Sequence, residues 1–216
     1  MLNGPAGRLE SILETPANDK VRGCAVICHP HPQHGGAMQN KVVHTLARAF
    51  VSHRMAALRF NFRGVGQSDG RYDEAIGELQ DALAAARWLQ QRYAGLPLWF
   101  AGFSFGAAIA IRAAAEFGAA GLVSIAPAVA RFSSGMTARP ACPWLIVQGE
   151  KDELVRVNET IDWVNSLGPG PVLQVFDDTE HYFHGRLVQL RSAVESFIDS
   201  NPGEKKPGER PGFVSA

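Results

Sequence analysis

No run of apolar residues in this chain approaches the ~20 needed to cross a bilayer, so nothing in the sequence suggests a membrane span. The opening Met1-Leu2-Asn3-Gly4-Pro5-Ala6-Gly7-Arg8 lacks the apolar core of a secretory signal. Cysteine is scarce and odd in number, with Cys24 and Cys28 inside an apolar run and Cys142 just before another. Buried thiols in a reducing compartment fit that pattern better than a disulfide framework, and the expected location is the cytoplasm. Charge of one sign is missing too. Twenty-one basic residues balance twenty-one acidic ones, which gives no overall field for nucleic acid or an anionic membrane. There is no internal repeat.

What is present is an alternation of apolar runs and amphipathic stretches. Residues 9–14 alternate as an edge strand would, and 21–28 and 56–62 are short apolar runs suited to central strands. Asn40 is placed to cap a helix whose Val42, Val43, Leu46, Ala47 and Phe50 share one face. A long helix is expected from Asp73 or Glu74 to Tyr93, and others over 105–117, 157–167 and 187–198. Further strands are expected at 96–100, 122–125, 144–147 and 172–176. This pattern predicts an α/β fold with a mainly parallel sheet covered by helices on both faces. Residues 1–200 are enough for one such domain. From 201 onward Gly, Pro, Lys and Glu dominate, and 201–216 read as a flexible tail. Only one turn of helix fits between Ile125 and Trp144, too little for a cap domain.

Gly102-Phe103-Ser104-Phe105-Gly106 joins the strand ending near Ala101 to the helix opening at Ala107. A serine between two glycines at a strand-to-helix corner is the pattern of a nucleophile elbow. The turn is tight enough to strain the serine, and residues without a β-carbon are needed two positions either side. Serine is nearly inert until a base takes its proton, and the base needs a third group to orient it. Asp152, just past the strand 144–147, is the foremost acid, with Glu150 and Glu153 as neighbouring alternatives and Asp177 and Asp178 after the next strand. The base comes from Glu180-His181-Tyr182-Phe183-His184-Gly185, where either His181 or His184 could serve. The chain order serine, acid, histidine is that of the nucleophile-elbow hydrolases.

An oxyanion needs two N–H donors. The first is the backbone of Phe105. The second should come from the loop Cys28-His29-Pro30-His31-Pro32-Gln33-His34-Gly35-Gly36, where both prolines lack an N–H and the backbone of His31 remains. Three histidines in one loop raise a metal site, but the prolines hold the loop extended and no nearby carboxylate completes a site, so no metal or other cofactor is expected. Phe103, Phe132, Met136 and Tyr182 are candidates for the substrate pocket.

Together these motifs make the chain resemble a small α/β-hydrolase of the dienelactone hydrolase-like, lidless carboxylesterase-like branch. The likeness runs from His29-Pro30-His31-Pro32 through Asn61-Phe62-Arg63-Gly64-Val65-Gly66-Gln67-Ser68 and the elbow to His181-Tyr182-Phe183-His184-Gly185-Arg186-Leu187. The resemblance favours His181 as base and makes Arg63, Ser68 and Asp69 parts of a structural loop. Ser104 stands where dienelactone hydrolase has cysteine, which argues against dienelactones as substrates. The expectation is a serine hydrolase acting on small or medium carboxylic esters, thioesters or lactones, as a monomer or weak homodimer with a small-molecule ester as its partner. Acyl transfer, peptide cleavage and a catalytically silent binding role are the competing readings.

Overall fold

The computed structural model describes residues 1–17, 20–132 and 139–202. Met136 and nearly all of the expected tail lie outside those residues. A short hairpin, β1 (Leu2–Gly4) with β2 (Gly7–Leu9), precedes the main sheet. That sheet runs β3 (Ser11–Glu14), β5 (Met55–Phe60), β4 (Gly23–Cys28), β6 (Leu98–Phe103), β7 (Gly121–Ile125), β8 (Trp144–Gly149), β9 (Pro171–Phe176). Only β3 is antiparallel to its neighbour.

The central strands are buried on both faces, and their side chains alternate between two apolar layers. Val26, Phe100, Leu122 and Ile146 meet α2 (Gly77–Arg92) and α3 (Phe105–Phe117). Ala25, Ile27, Trp99, Val123 and Leu145 meet α1 (Lys41–Ser52) and α6 (Leu187–Ser200). Asn40 caps α1 as expected, its Oδ1 accepting the Val42 N–H at 2.9 Å. The remaining helices, α4 (Val129–Phe132) and α5 (Val157–Ser166), follow β7 and β8.

Two expected elements differ. The strand foreseen over 9–14 is divided, because Glu10 turns its backbone and carboxylate to the 61–68 loop, accepting from Asn61 Nδ2 at 2.7 Å and the Gln67 N–H at 2.9 Å. The helix foreseen from Asp73 or Glu74 begins at Gly77, since Glu74 and Ala75 hold positive φ values of 50° and 64°, outside helical space. The 61–68 loop is fastened from below. Arg63 forms a two-point pair with buried Asp81, Nη2 to Oδ1 at 2.8 Å and Nε to Oδ2 at 3.0 Å. Ser68 donates to the Asn61 carbonyl at 2.7 Å. These contacts give Arg63 and Ser68 structural work. The parallel strands also send the loops after β4, β5, β6, β7, β8 and β9 to one edge of the sheet.

Candidate active site

Ser104 sits between β6 and α3 with φ 56° and ψ −116°. That backbone region is nearly closed to residues with a β-carbon and costs on the order of 1–3 kcal/mol. The surroundings hold it there. Its N–H donates to the Ile125 carbonyl at 2.9 Å, and its own carbonyl accepts from Ala107 at 3.0 Å and Ala108 at 3.3 Å. A Cβ on Gly102 would overlap the Gly106 carbonyl, and one on Gly106 would overlap the carbonyls of Cys28 and His29. Both flanking glycines are therefore required, and the second lets α3 press against the end of β4. The hydroxyl stands at the N-terminus of a 13-residue helix, where backbone N–H groups and the helix dipole favour negative charge.

Asp152 and His181 meet from separate loops. Nδ1 of His181 lies 2.8 Å from Oδ2 of Asp152, with both side chains buried. Asp152 is itself fully engaged. Oδ1 accepts the Leu154 N–H at 2.9 Å and the Val155 N–H at 2.7 Å, and Oδ2 also accepts Gln148 Nε2 at 3.0 Å. A carboxylate accepts, so Nδ1 of His181 donates and Nε2 keeps its lone pair. The loops are brought together by backbone contact. Lys151 N–H donates to the Thr179 carbonyl at 2.9 Å, and Glu150 N–H to that of Phe176 at 3.0 Å. Gly149 permits the approach, since a Cβ there would overlap the Thr179 carbonyl.

Three of the other carboxylates named from the sequence have partners of their own. Glu150 accepts the Asp178 N–H at 2.9 Å, Glu153 accepts the His181 N–H at 3.3 Å, and Asp178 pairs with Lys151 on the surface. His184 has a side chain 67% exposed and pairs with Glu180 instead. It does not line the cleft that Ser104 and His181 share.

That cleft has a volume of about 790 Å³ and is walled by the 30–36 loop, residues 127–132, and the segment leading into α5. Phe132 and Tyr182 line it. Phe103 does not. Strand alternation sends its ring into the layer beneath α1 and α6, where it is 0% exposed and lies 4.9 Å from the His181 ring. It backs the imidazole and is no pocket residue.

His31 lines the cleft beside Phe105, their ring centroids 4.9 Å apart. Among the described residues, the N–H groups of His31 and Phe105 meet no protein acceptor. The His31 ring accepts the Gln33 N–H through Nδ1 at 3.2 Å, which places any proton of the neutral ring on Nε2. Burial, then His34 and Arg131, lower its proton affinity below the usual histidine range. His29 is no ligand for a metal, because both ring nitrogens are used. Nε2 accepts the Phe62 N–H at 3.0 Å and Nδ1 donates to the Pro30 carbonyl at 2.6 Å. Burial lowers this histidine to about 4. Among the described residues no three His, Cys, Asp or Glu side chains gather as a metal site would need.

Sequence reasoning passed over Gln148, a lone polar residue ending an apolar strand, whose amide holds Asp152 and whose Oε1 accepts from Thr160 at 3.2 Å. It also passed over the apolar wall of Val129, Val155 and Trp163.

The chain matches known proteins over most of its length. The family model described as serine aminopeptidase, S33, matches residues 19–138. An uncharacterized protein of Rickettsia prowazekii, RP471, is 32% identical over 206 residues, 91% of this chain and 86% of its own. An alpha-beta serine hydrolase homologue from Coxiella burnetii is 42% identical at a TM-score of 0.87, covering 90% of this chain and 94% of that one. XC6422 from Xanthomonas campestris, an α/β serine hydrolase without lid, is 40% identical at a TM-score of 0.87 over 92% of each chain. By these matches and by its sheet, the chain belongs to the serine aminopeptidase S33 family within the α/β-hydrolase superfamily.

Proposed function

We propose that this hydrolase cleaves carboxylic esters of small to medium size through Ser104, His181 and Asp152. His181 Nε2 takes the Ser104 proton as Oγ attacks the ester carbonyl. The negative charge that forms on the carbonyl oxygen is received by the backbone N–H groups of Phe105 and His31. Each such donor is worth on the order of 10²–10³ in rate. The imidazolium, steadied by Asp152, hands its proton to the departing alkoxide, leaving an acyl group on Ser104. Water, deprotonated by His181, then releases the acid and restores the serine. The observation that carries this reading is the strained Ser104 sharing one cleft with an imidazole that is bonded at 2.8 Å to a buried carboxylate.

The test is labelling with a fluorophosphonate together with turnover of a 4-nitrophenyl butyrate. The wild type should label and turn over. Ser104→Ala should fold, fail to label and lose on the order of 10³ or more in kcat/KM. A loss below about tenfold would remove Ser104 as nucleophile. Peptide cleavage is the second reading, favoured by the family's aminopeptidase description. Aminoacyl 4-nitroanilides turned over faster than the ester would select it.

A further inference from the structure

The cleft is charged unevenly. Between residues 20 and 68 the sequence contains no aspartate or glutamate, and between 117 and 149 again none. Those two stretches supply the 30–36 loop and residues 127–132, and so one whole end of the cleft. Both carboxylates on the cleft wall among the described residues, Glu153 and Glu159, come from the segment entering α5 and from α5 itself. Each is already engaged there. Glu153 accepts the His181 N–H, and Glu159 lies 3.9 Å from Arg156.

Arg131 is what remains. It lines the cleft beside Phe132, its side chain is exposed, and among the described residues it forms no ion pair. Even the residues that follow it, 133–138, are Ser-Ser-Gly-Met-Thr-Ala and hold no carboxylate. Its charge reaches His31, whose ring it helps to keep neutral. A neutral His31 adds a polar donor to this end without a second cation. The rings of His31, Phe105 and Phe132, with centroids 4.9 to 5.5 Å apart, form an aromatic wall on the cleft that Arg131 also lines.

We propose that this end of the cleft receives a negatively charged group carried by the substrate beyond its scissile bond, with Arg131 selecting acidic esters over neutral ones. The inference rests on the hydrolase reading of the same site. The charge could sit on the acyl side or on the alcohol side of the ester, and the chemistry at Arg131 is the same for both. An exposed arginine–carboxylate pair changes affinity by up to about fivefold, which sets the size of the effect.

The experiment follows acid release by pH-stat for two matched pairs. Monoethyl adipate against ethyl hexanoate places the charge on the acyl side, and 4-acetoxybutanoate against butyl acetate places it on the alcohol side. Within each pair the quantity read is the ratio of kcat/KM, charged over neutral. Arg131→Gln should lower that ratio about three- to fivefold in one pair, and the pair affected tells which side carries the charge. Arg131→Lys should keep most of it. Salt of about 0.5 M should erode the ratio in the wild type and leave it unchanged in Arg131→Gln. Arg48→Gln, which removes an exposed charge on α1 outside the cleft, should leave both ratios alone. Turnover of the esters with ratios that Arg131→Gln moves less than twofold in both pairs overturns the inference and spares the hydrolase reading. No turnover of any of the four, with no fluorophosphonate labelling, overturns both.

Discussion

At the scale of single residues, two histidines three positions apart have opposite surroundings. His181 is buried against Asp152, whereas His184 faces solvent with Glu180. His181→Ala should match the loss of Ser104→Ala, and the double variant should be little worse than either, because such groups act as a unit. His184→Ala should cost far less. The opposite ranking in 4-nitrophenyl butyrate turnover would move the base. His29 carries a different prediction. Burial lowers it from 6.5 to about 4. Between those pH values the unfolded chain binds a proton that the folded chain refuses, so stability falls as pH drops through the window. The loss reaches about 3 kcal/mol below it. Urea titrations across pH 4–7 should show this fall, and His29→Gln should flatten it. His31, lowered too, adds a smaller slope of the same sign.

At the scale of elements, the elbow depends on how closely α3 approaches β4. Gly106→Ala places a methyl group against the Cys28 and His29 carbonyls, which are backbone and cannot swing aside. The helix would have to retreat, carrying the Phe105 N–H away from the Ser104 hydroxyl. We expect a loss of at least about 2 kcal/mol in urea unfolding, with kcat falling further than stability alone explains. A change of under about 0.5 kcal/mol with full activity would show that the turn is looser than its contacts indicate. The start of α2 is the contrasting case. Helical periodicity continues back through Glu74, but the positive φ values of Glu74 and Ala75 delay the helix to Gly77. The buried Glu78 carboxylate accepts the Asp73 N–H there at 2.9 Å and fastens the turn.

At the scale of the whole molecule, parallel strands collect six loops at one edge of the sheet, and with them Ser104, Asp152, His181 and His31. No lid element stands over the cleft among the described residues, as in the lidless hydrolase from Xanthomonas campestris. A cleft of about 790 Å³ suits a modest ligand. Methylenes that extend past its walls stay in water and gain little of the ~0.8 kcal/mol each that full burial gives. Catalytic efficiency on 4-nitrophenyl esters should therefore rise over short acyl chains and then level off, with no jump at a lipid–water interface. A steady rise to twelve carbons or more, about tenfold for every two or three methylenes, would reveal a long apolar tunnel.

The strand and helix pattern and the elbow glycines were legible because each depends on local chemistry. A strand needs apolar side chains on both faces here, and a tight corner needs residues without a β-carbon. The proposed acid and base were narrowed in the sequence to a few neighbours, and of these Asp152 and His181 are the pair in contact. Asp152 meets His181 because Gly149 lets two loops touch, a fact of packing that spacing along the chain does not encode. Packing likewise decided that Phe103 faces the core, that Gln148 holds Asp152, and that among the described residues Arg131 is left without a carboxylate. The balanced total charge hid that last feature. The sequence by itself determined which residues could do chemistry and where the chain turns. Only the tertiary structure decided which of them meet, since side-chain direction and the distance between loops are set by how seven strands and their helices close around a common core.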